Sequence, residues 1–213
     1  MRGVLDGQRL AQIANRWVLW VTRHWLAVAN SALALVLGLA FLAPGLMLSG
    51  HPGAGQFLYL LYRPLCHQLP ERSFFLGGAA PCYTLGQLSA RLGYEVPARY
   101  IGNPELGYKV AFCERDVAIY AGYLLAGLAF ACVRRRLQPL PWKLAALMAA
   151  PMAVDGLVQL FGLAESNWFR RSVTGLLFGV AVVWFAFPWL ERGMRDAQEI
   201  AAQGLEATHA GDR

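Results

Sequence analysis

Residues 25–48, WLAVANSALALVLGLAFLAPGLML, decide the fold. This stretch holds 24 residues and no Asp, Glu, Lys or Arg. A helix rises about 1.5 Å per residue, so it covers roughly 36 Å, more than the ~30 Å hydrocarbon core of a bilayer. The apolar core of a cleaved signal peptide is only about 7–15 residues long, and no A-x-A site follows here. The stretch reads as a retained anchor. Three more runs are long and apolar enough to span, at residues 117–133, 142–163 and 172–190, the second of them carrying Lys143 and Asp155. Over the whole chain 57% of residues are hydrophobic and 15% charged. A soluble domain carries about 25% charged residues. The expected architecture is an all-α integral membrane protein: a four-transmembrane-helix bundle with an extracytoplasmic helical/loop cap.

The net charge of +6 sits between the apolar runs. Such a distribution orients a membrane protein and gives no sign of a nucleic-acid partner. No G-x-x-x-x-G-K-[ST] or G-x-G-x-x-G supports nucleotide chemistry. Arg2, Arg9, Arg16 and Arg23 precede the first span, Arg134, Arg135, Arg136 and Lys143 lie between the second and third, and Arg192 and Arg195 follow the fourth. Only Arg170 and Arg171 lie between the third and fourth. The positive-inside bias therefore places both termini in the cytoplasm and residues 49–116 outside. Trp25, Trp142 and Trp189 then fall at the cytoplasmic interface and Trp168 at the outer one.

Three regions follow: residues 1–24, a cytoplasmic amphipathic helix; 25–190, the membrane domain with its cap at 49–116; and 191–213, a polar cytoplasmic tail expected to fray after Gln203. In residues 8–24, Leu10, Ile13, Trp17 and Trp20 share one face and Arg9, Arg16 and Arg23 another, as in a helix lying on headgroups. A first span that simply starts early reads the same residues as well. In the cap, GQFLYLLYRPLC predicts a short surface helix, and CYTLGQLSARLGY sets Leu85, Leu88 and Leu92 on one helical face. Gly175 and Gly179, the Ala118, Gly122, Ala126 series and the Asn30, Ala34, Gly38 series predict close helix contacts. Pro151 predicts a kink in the third span.

The polar residues concentrate in LYRPLCHQLPERSFFLGG (61–78) and CERD (113–116). Cys132 reads as a packing residue in the second span. Cys66, Cys82 and Cys113 fall outside, in an oxidising compartment. Cys66–Cys113 is a candidate disulfide. Cys66, His67, Cys113 and Asp116 are a candidate metal set, whose donors suit zinc or copper. As chain neighbours, Cys66 and His67 point apart on a regular helix, so this set needs a loop. A thiol at the start of a helix is also acidified, which makes Cys113 a candidate redox or nucleophilic group. Arg72 and Arg171 are candidate ligands for an anion or lipid headgroup. In the third span Asp155, Gln159 and, across the next turn, Thr174 form a buried polar set. An acid at that depth needs a partner, and Arg170, Arg171 and Thr174 at the top of the fourth span are close in sequence; an Asp155–Arg171 pair would place charge just under the outer cap.

CHQLPERSFFLGG, CERDVAIYAGYLLAG, PMAVDGLVQLFG and NWFRRSVTGLLFG, in this order, resemble an uncharacterised family of small bacterial membrane proteins known as predicted membrane proteins with a domain of unknown function. The resemblance covers residues 62–179. Family members often show C-x-R-C where this chain has Asp116 in the last place, which weakens an all-thiolate site there. The resemblance implies a multi-pass protein of the bacterial plasma (inner) membrane and brings no activity with it. The expected function is a binding or accessory protein with a Cys/His/Asp/Arg site at the outer leaflet. A membrane enzyme acting on a lipid carrier or quinone, with His67, Asp155 or Cys113 as catalytic candidates, is one alternative. A structural subunit with a membrane-protein partner is another.

Overall fold

The computed structural model describes residues 2–211. Helix α1 (Arg2–Leu48) is followed by α2 (Pro52–Tyr62), a 3-10 turn (Pro70–Arg72), strand β1 (Phe75–Leu76), α3 (Leu85–Leu92), β2 (Gly102–Asn103) and β3 (Gly107–Lys109). Helices α4 (Glu114–Val133), α5 (Trp142–Leu160) and α6 (Trp168–Gly211) complete the chain. Among the described residues, α1, α4, α5 and α6 are the four helices long and apolar enough to cross a membrane. They begin or end where the apolar runs do, at Leu48, Val133 and Trp142.

α1 has 47 residues and α6 has 44, so each is close to 70 Å long and outreaches the ~30 Å hydrocarbon core. Residues 8–24 continue α1 without a break. The tail does not fray after Gln203; α6 stays helical to Gly211 because it packs along α1. A Cβ at Gly204 would stand 2.6 Å from the Asn15 side chain.

Small residues set the bundle. A Cβ at Gly179 would lie 2.5 Å from the Ile119 carbonyl, and one at Gly122 2.7 Å from that of Leu176. α4 and α6 therefore touch backbone to backbone, as the glycine spacing predicts. In α1 only Asn30 behaves this way, buried against Gly127. Ala34 is exposed and Gly38 has no neighbour within 4 Å. Cys132 is also exposed, on the outside of α4 rather than packed within. Trp25 is buried, stacking edge-on against Phe187 and donating its indole N–H to Glu191 at 3.0 Å, so it is no interfacial anchor. Trp142, Trp168 and Trp189 are exposed.

Prolines inside the helices provide docking points. Pro44 has no N–H, which leaves the Ala40 carbonyl without its helical donor. The N–H of Ala111 takes it at 3.1 Å and pins the chain after β3 to α1. Pro188 frees the Trp184 carbonyl in the same way, and Leu140 in the α4–α5 turn donates to it at 3.3 Å.

The cap is more than helix and loop. It carries a three-stranded antiparallel sheet, order β1-β3-β2, with Phe75 opposite Lys109 and Gly102 opposite Tyr108. The β2–β3 hairpin closes through Asn103, whose side-chain oxygen accepts from the N–H groups of Glu105 and Leu106 at 3.0 and 2.7 Å. Gly107 takes φ +80° where a Cβ would meet the Leu76 carbonyl at 2.4 Å. A small core of Phe75, Tyr83, Leu88, Val96 and Leu106 lies on one side. In α3 only Leu88 of the expected leucine face is fully buried; Leu85 is exposed. α2 lays Leu58, Tyr59 and Tyr62 against Ala40, Ala43 and Phe112, which seats the cap on the bundle.

Candidate thiol and carboxylate site

CERD is the hub between cap and bundle. Cys113 is extended (φ −72°, ψ 163°) and caps α4, its sulfur accepting the Asp116 N–H at 3.4 Å. Helical steps of about 100° then aim these four consecutive side chains at three different parts of the fold. Cys113 and Asp116 turn to Cys66 in the cap. Glu114 turns to Arg171 of α6, at 3.1 Å. Arg115 turns to Asp155 of α5, at 2.5 Å.

Cys66 follows the turn that ends α2. It is buried, and its sulfur receives the backbone N–H groups of Cys113 at 3.3 Å and Gln68 at 3.5 Å. All four cysteines are free thiols. One ligand atom each from Cys66, Cys113 and Asp116 lie within 4.8 Å of one another. The Cys113 thiol proton has two acceptors, the Asp116 carboxylate at 3.2 Å and the Cys66 sulfur. Its hydrogen bond holds the Cys66 thiol below the usual cysteine range, against burial and the Asp116 charge, which raise it. The same bond, burial and Asp116 push Cys113 up. Cys66 is the acidic member of the pair.

Gln68 organises this turn. It has φ +55°, the one positive φ outside glycine among the described residues, and it is buried. Its amide donates to the Tyr59 carbonyl at 2.8 Å, and its own carbonyl accepts from the Lys109 ammonium. Lys109 is 1% exposed, and desolvation lowers its pKa to about 8, opposed by the nearby Cys66 and Glu71 charges. Sequence reasoning missed both residues. An available sign was a lysine inside the otherwise uncharged GYKVAFC.

His67 is exposed and stands outside the three-ligand group. It lines, with Cys66, Cys113, Asp116, Arg72 and Arg171, a cleft of about 390 Å³. A second cleft of about 670 Å³ shares Arg72, Gln159 and Arg171 with it and contains Cys82. Cys82 thus belongs to a different cluster. Its thiol hydrogen-bonds Glu114, and burial followed by that carboxylate pushes its pKa up to about 12. Arg72 is exposed and makes no side-chain hydrogen bond or ion pair among the described residues.

Asp155 is 2% exposed, and of the partners expected it takes Arg170, at 3.3 Å, rather than Arg171, which turns to Glu114. Arg115, not foreseen from the sequence, is its second partner. Gln159 and Ser166 donate to it at 3.1 and 3.0 Å. The Thr174 hydroxyl is used locally, on the Arg170 carbonyl at 2.8 Å.

These features define a four-span helical membrane protein whose cap carries a thiol and carboxylate cluster at the mouth of the bundle. Residues 105–185 match the family described as Predicted membrane protein (DUF2085). The chain is also similar to the Uncharacterized protein MJ1492 of Methanocaldococcus jannaschii, 31% identical over 134 residues, which is 62% of this chain and 67% of the relative. The chain belongs to this family of predicted membrane proteins, and this relative comes from an archaeon. No solved structure matches it.

Proposed function

We propose that the protein is a metal-binding or accessory protein of the plasma (inner) membrane, with both termini in the cytoplasm and the cap outside. Cys66, Cys113 and Asp116 hold the ion, and zinc or copper fits two thiolates and one carboxylate. The observation that carries this reading is the convergence of three ligand atoms within 4.8 Å. Three protein ligands leave a coordination position open, as sites that act on a ligand do. The three ligands bring three negative charges, and a divalent ion offsets two. Arg72 and Arg171 line the same cleft and are suited to receive an anion on the open position.

Metal content decides it. The protein is purified without added metal, as wild type and as Cys66→Ser, Cys113→Ser and Asp116→Asn. Stoichiometric zinc or copper in the wild type, lost from the cysteine variants, is the expected result. Protein with no bound metal, and with stability unchanged by chelator, sinks the metal reading. The free, hydrogen-bonded thiol pair favours a second reading, a dithiol that closes to a disulfide as two protons and two electrons pass to a partner disulfide. Metal-free protein that oxidises to a Cys66–Cys113 disulfide supports that reading instead. Thiol labelling of intact cells tests the orientation: reaction only after permeabilisation puts the cap on the wrong side.

A further inference from the structure

A second built site lies at the opposite end of the bundle from the cap. There a pocket of about 220 Å³ is bounded by Arg23 of α1, Arg134 and Arg135 just after α4, and Glu191, Arg195 and Gln198 of α6. Glu191 is its floor and is 5% exposed. It accepts from the Trp25 indole and from Arg195 Nε, both at 3.0 Å, and pairs with Arg134 Nε at 3.6 Å. Both ion pairs use Nε. The two terminal nitrogens of Arg134 and of Arg195 have no partner among the described residues. Arg23 and Arg135 make no side-chain ion pair or hydrogen bond there at all. Four arginines thus line a pocket that holds one carboxylate, a surplus of three positive charges.

We infer that this pocket binds phosphate, carried by an anionic phospholipid headgroup or free in solution. Guanidinium presents a planar fork of donors that matches phosphate oxygens two at a time. Anchoring Arg134 and Arg195 through Nε fixes their planes before any ligand arrives, so little side-chain freedom is lost on binding. The volume equals about seven waters at ~30 Å³ each, which accommodates a phosphate with part of its ester. The depth is right for a headgroup. Arg23 stands two residues before the uncharged run of α1, and Arg134 directly follows the last residue of α4. Orientation bias places arginines at helix ends. It does not by itself converge arginines from three segments on one buried carboxylate. Basic pockets between spanning helices are where phospholipid headgroups are held. The inference is independent of the metal site, which lies in the cap.

The test uses the full chain in detergent, with native mass spectrometry after incubation with equal amounts of phosphatidylglycerol and phosphatidylcholine. The wild type is expected to retain phosphatidylglycerol by about tenfold or more over phosphatidylcholine. Arg23→Gln/Arg135→Gln leaves the Glu191 ion pairs intact and should lose that preference. Should the double variant not accumulate, Arg135→Gln alone is read by the same ratio, and Arg135→Lys should recover part of it. Millimolar inorganic phosphate is the second arm. Displacement of the lipid or a raised Tm in the wild type alone assigns the site to soluble phosphate as well. Equal retention of the two lipids together with no phosphate response overturns the inference. So does a preference that survives unchanged in the variants.

Discussion

Arg115 reaches Asp155 at 2.5 Å, joining the first turn of α4 to the last third of α5, and the acid it meets is 2% exposed. Removing one partner of such a pair leaves the other charged and unsatisfied. That costs about 3–5 kcal/mol for a fully buried pair. Arg115 is 24% exposed, so the lower end applies, and Asp155→Asn should destabilise the protein by about 3 kcal/mol. Arg170→Ala acts on a side chain that is half exposed and should cost about 1 kcal/mol or less. Denaturant unfolding in detergent measures both. Equal, small effects would mean that Asp155 does not clamp α5.

The glycine contacts predict opposite signs at two positions. Gly179→Ala puts a methyl 2.5 Å from the Ile119 carbonyl, where only helix separation relieves it. Overpacking of this kind costs about 1–3 kcal/mol. Gly38→Ala meets nothing within 4 Å and removes the entropic penalty of a helical glycine, worth about 0.5–1 kcal/mol in favour of the folded state. Thermal unfolding of the two variants should move in opposite directions. A stabilised Gly179→Ala would show that α4 and α6 do not touch as described.

Lys109 predicts a pH dependence. The buried ammonium releases its proton near pH 8, whereas in the unfolded chain it does so near 10.5. Between these values the unfolded chain binds more protons, so stability rises with pH. The gain is at most about 3 kcal/mol. Other groups titrate in this window, the cysteines of the unfolded chain among them. The quantity to follow is therefore the stability of wild type minus that of Lys109→Met, both treated with chelator, from pH 8 to 10.5. It should climb across the window. A flat difference would place Lys109 in water.

The spans were legible because 24 uncharged residues in a row admit few structures. Backbone groups in hydrocarbon must bond internally, so a helix is the only form open to a single such run. The cap sheet was not legible. Its strands have two or three residues, too short for an alternating pattern to stand out. The thiol cluster was half legible. Cys113 and Asp116 share a helical turn and are close by spacing alone. Bringing Cys66 to them depends on the turn at Gln68, a left-handed residue that nothing in CHQ announces. The exchange of ion partners has a similar cause. Arg170 and Arg171 lie about 100° apart on α6, and the loop before them sets which one faces α5. Sequence proximity could not choose. The prolines carry a signal that the sequence reading did not use: the carbonyls that Pro44 and Pro188 free are where the cap and the α4–α5 turn attach.

Gln68 allows that turn to be tested directly. A non-glycine residue at φ +55° carries roughly 1 kcal/mol of backbone strain. The side chain compensates through its 2.8 Å hydrogen bond to the Tyr59 carbonyl, in a buried setting. Gln68→Ala removes the bond and keeps the strain. An unsatisfied buried carbonyl adds about 1–3 kcal/mol to the cost. Gln68→Gly loses the same bond but adopts the conformation freely. Greater freedom of the unfolded chain returns part of that benefit, about 0.5–1 kcal/mol. The two terms nearly cancel in stability, and local geometry becomes the better readout. Cys66 accepts the Gln68 N–H, so its alkylation rate reports the turn. With glycine the turn should persist and Cys66 should react as in wild type at each pH. With alanine the turn should relax, Cys66 should lose that donor, and its titration should move up toward the ordinary cysteine range. Identical profiles for the two variants would show that Gln68 does not set the position of Cys66.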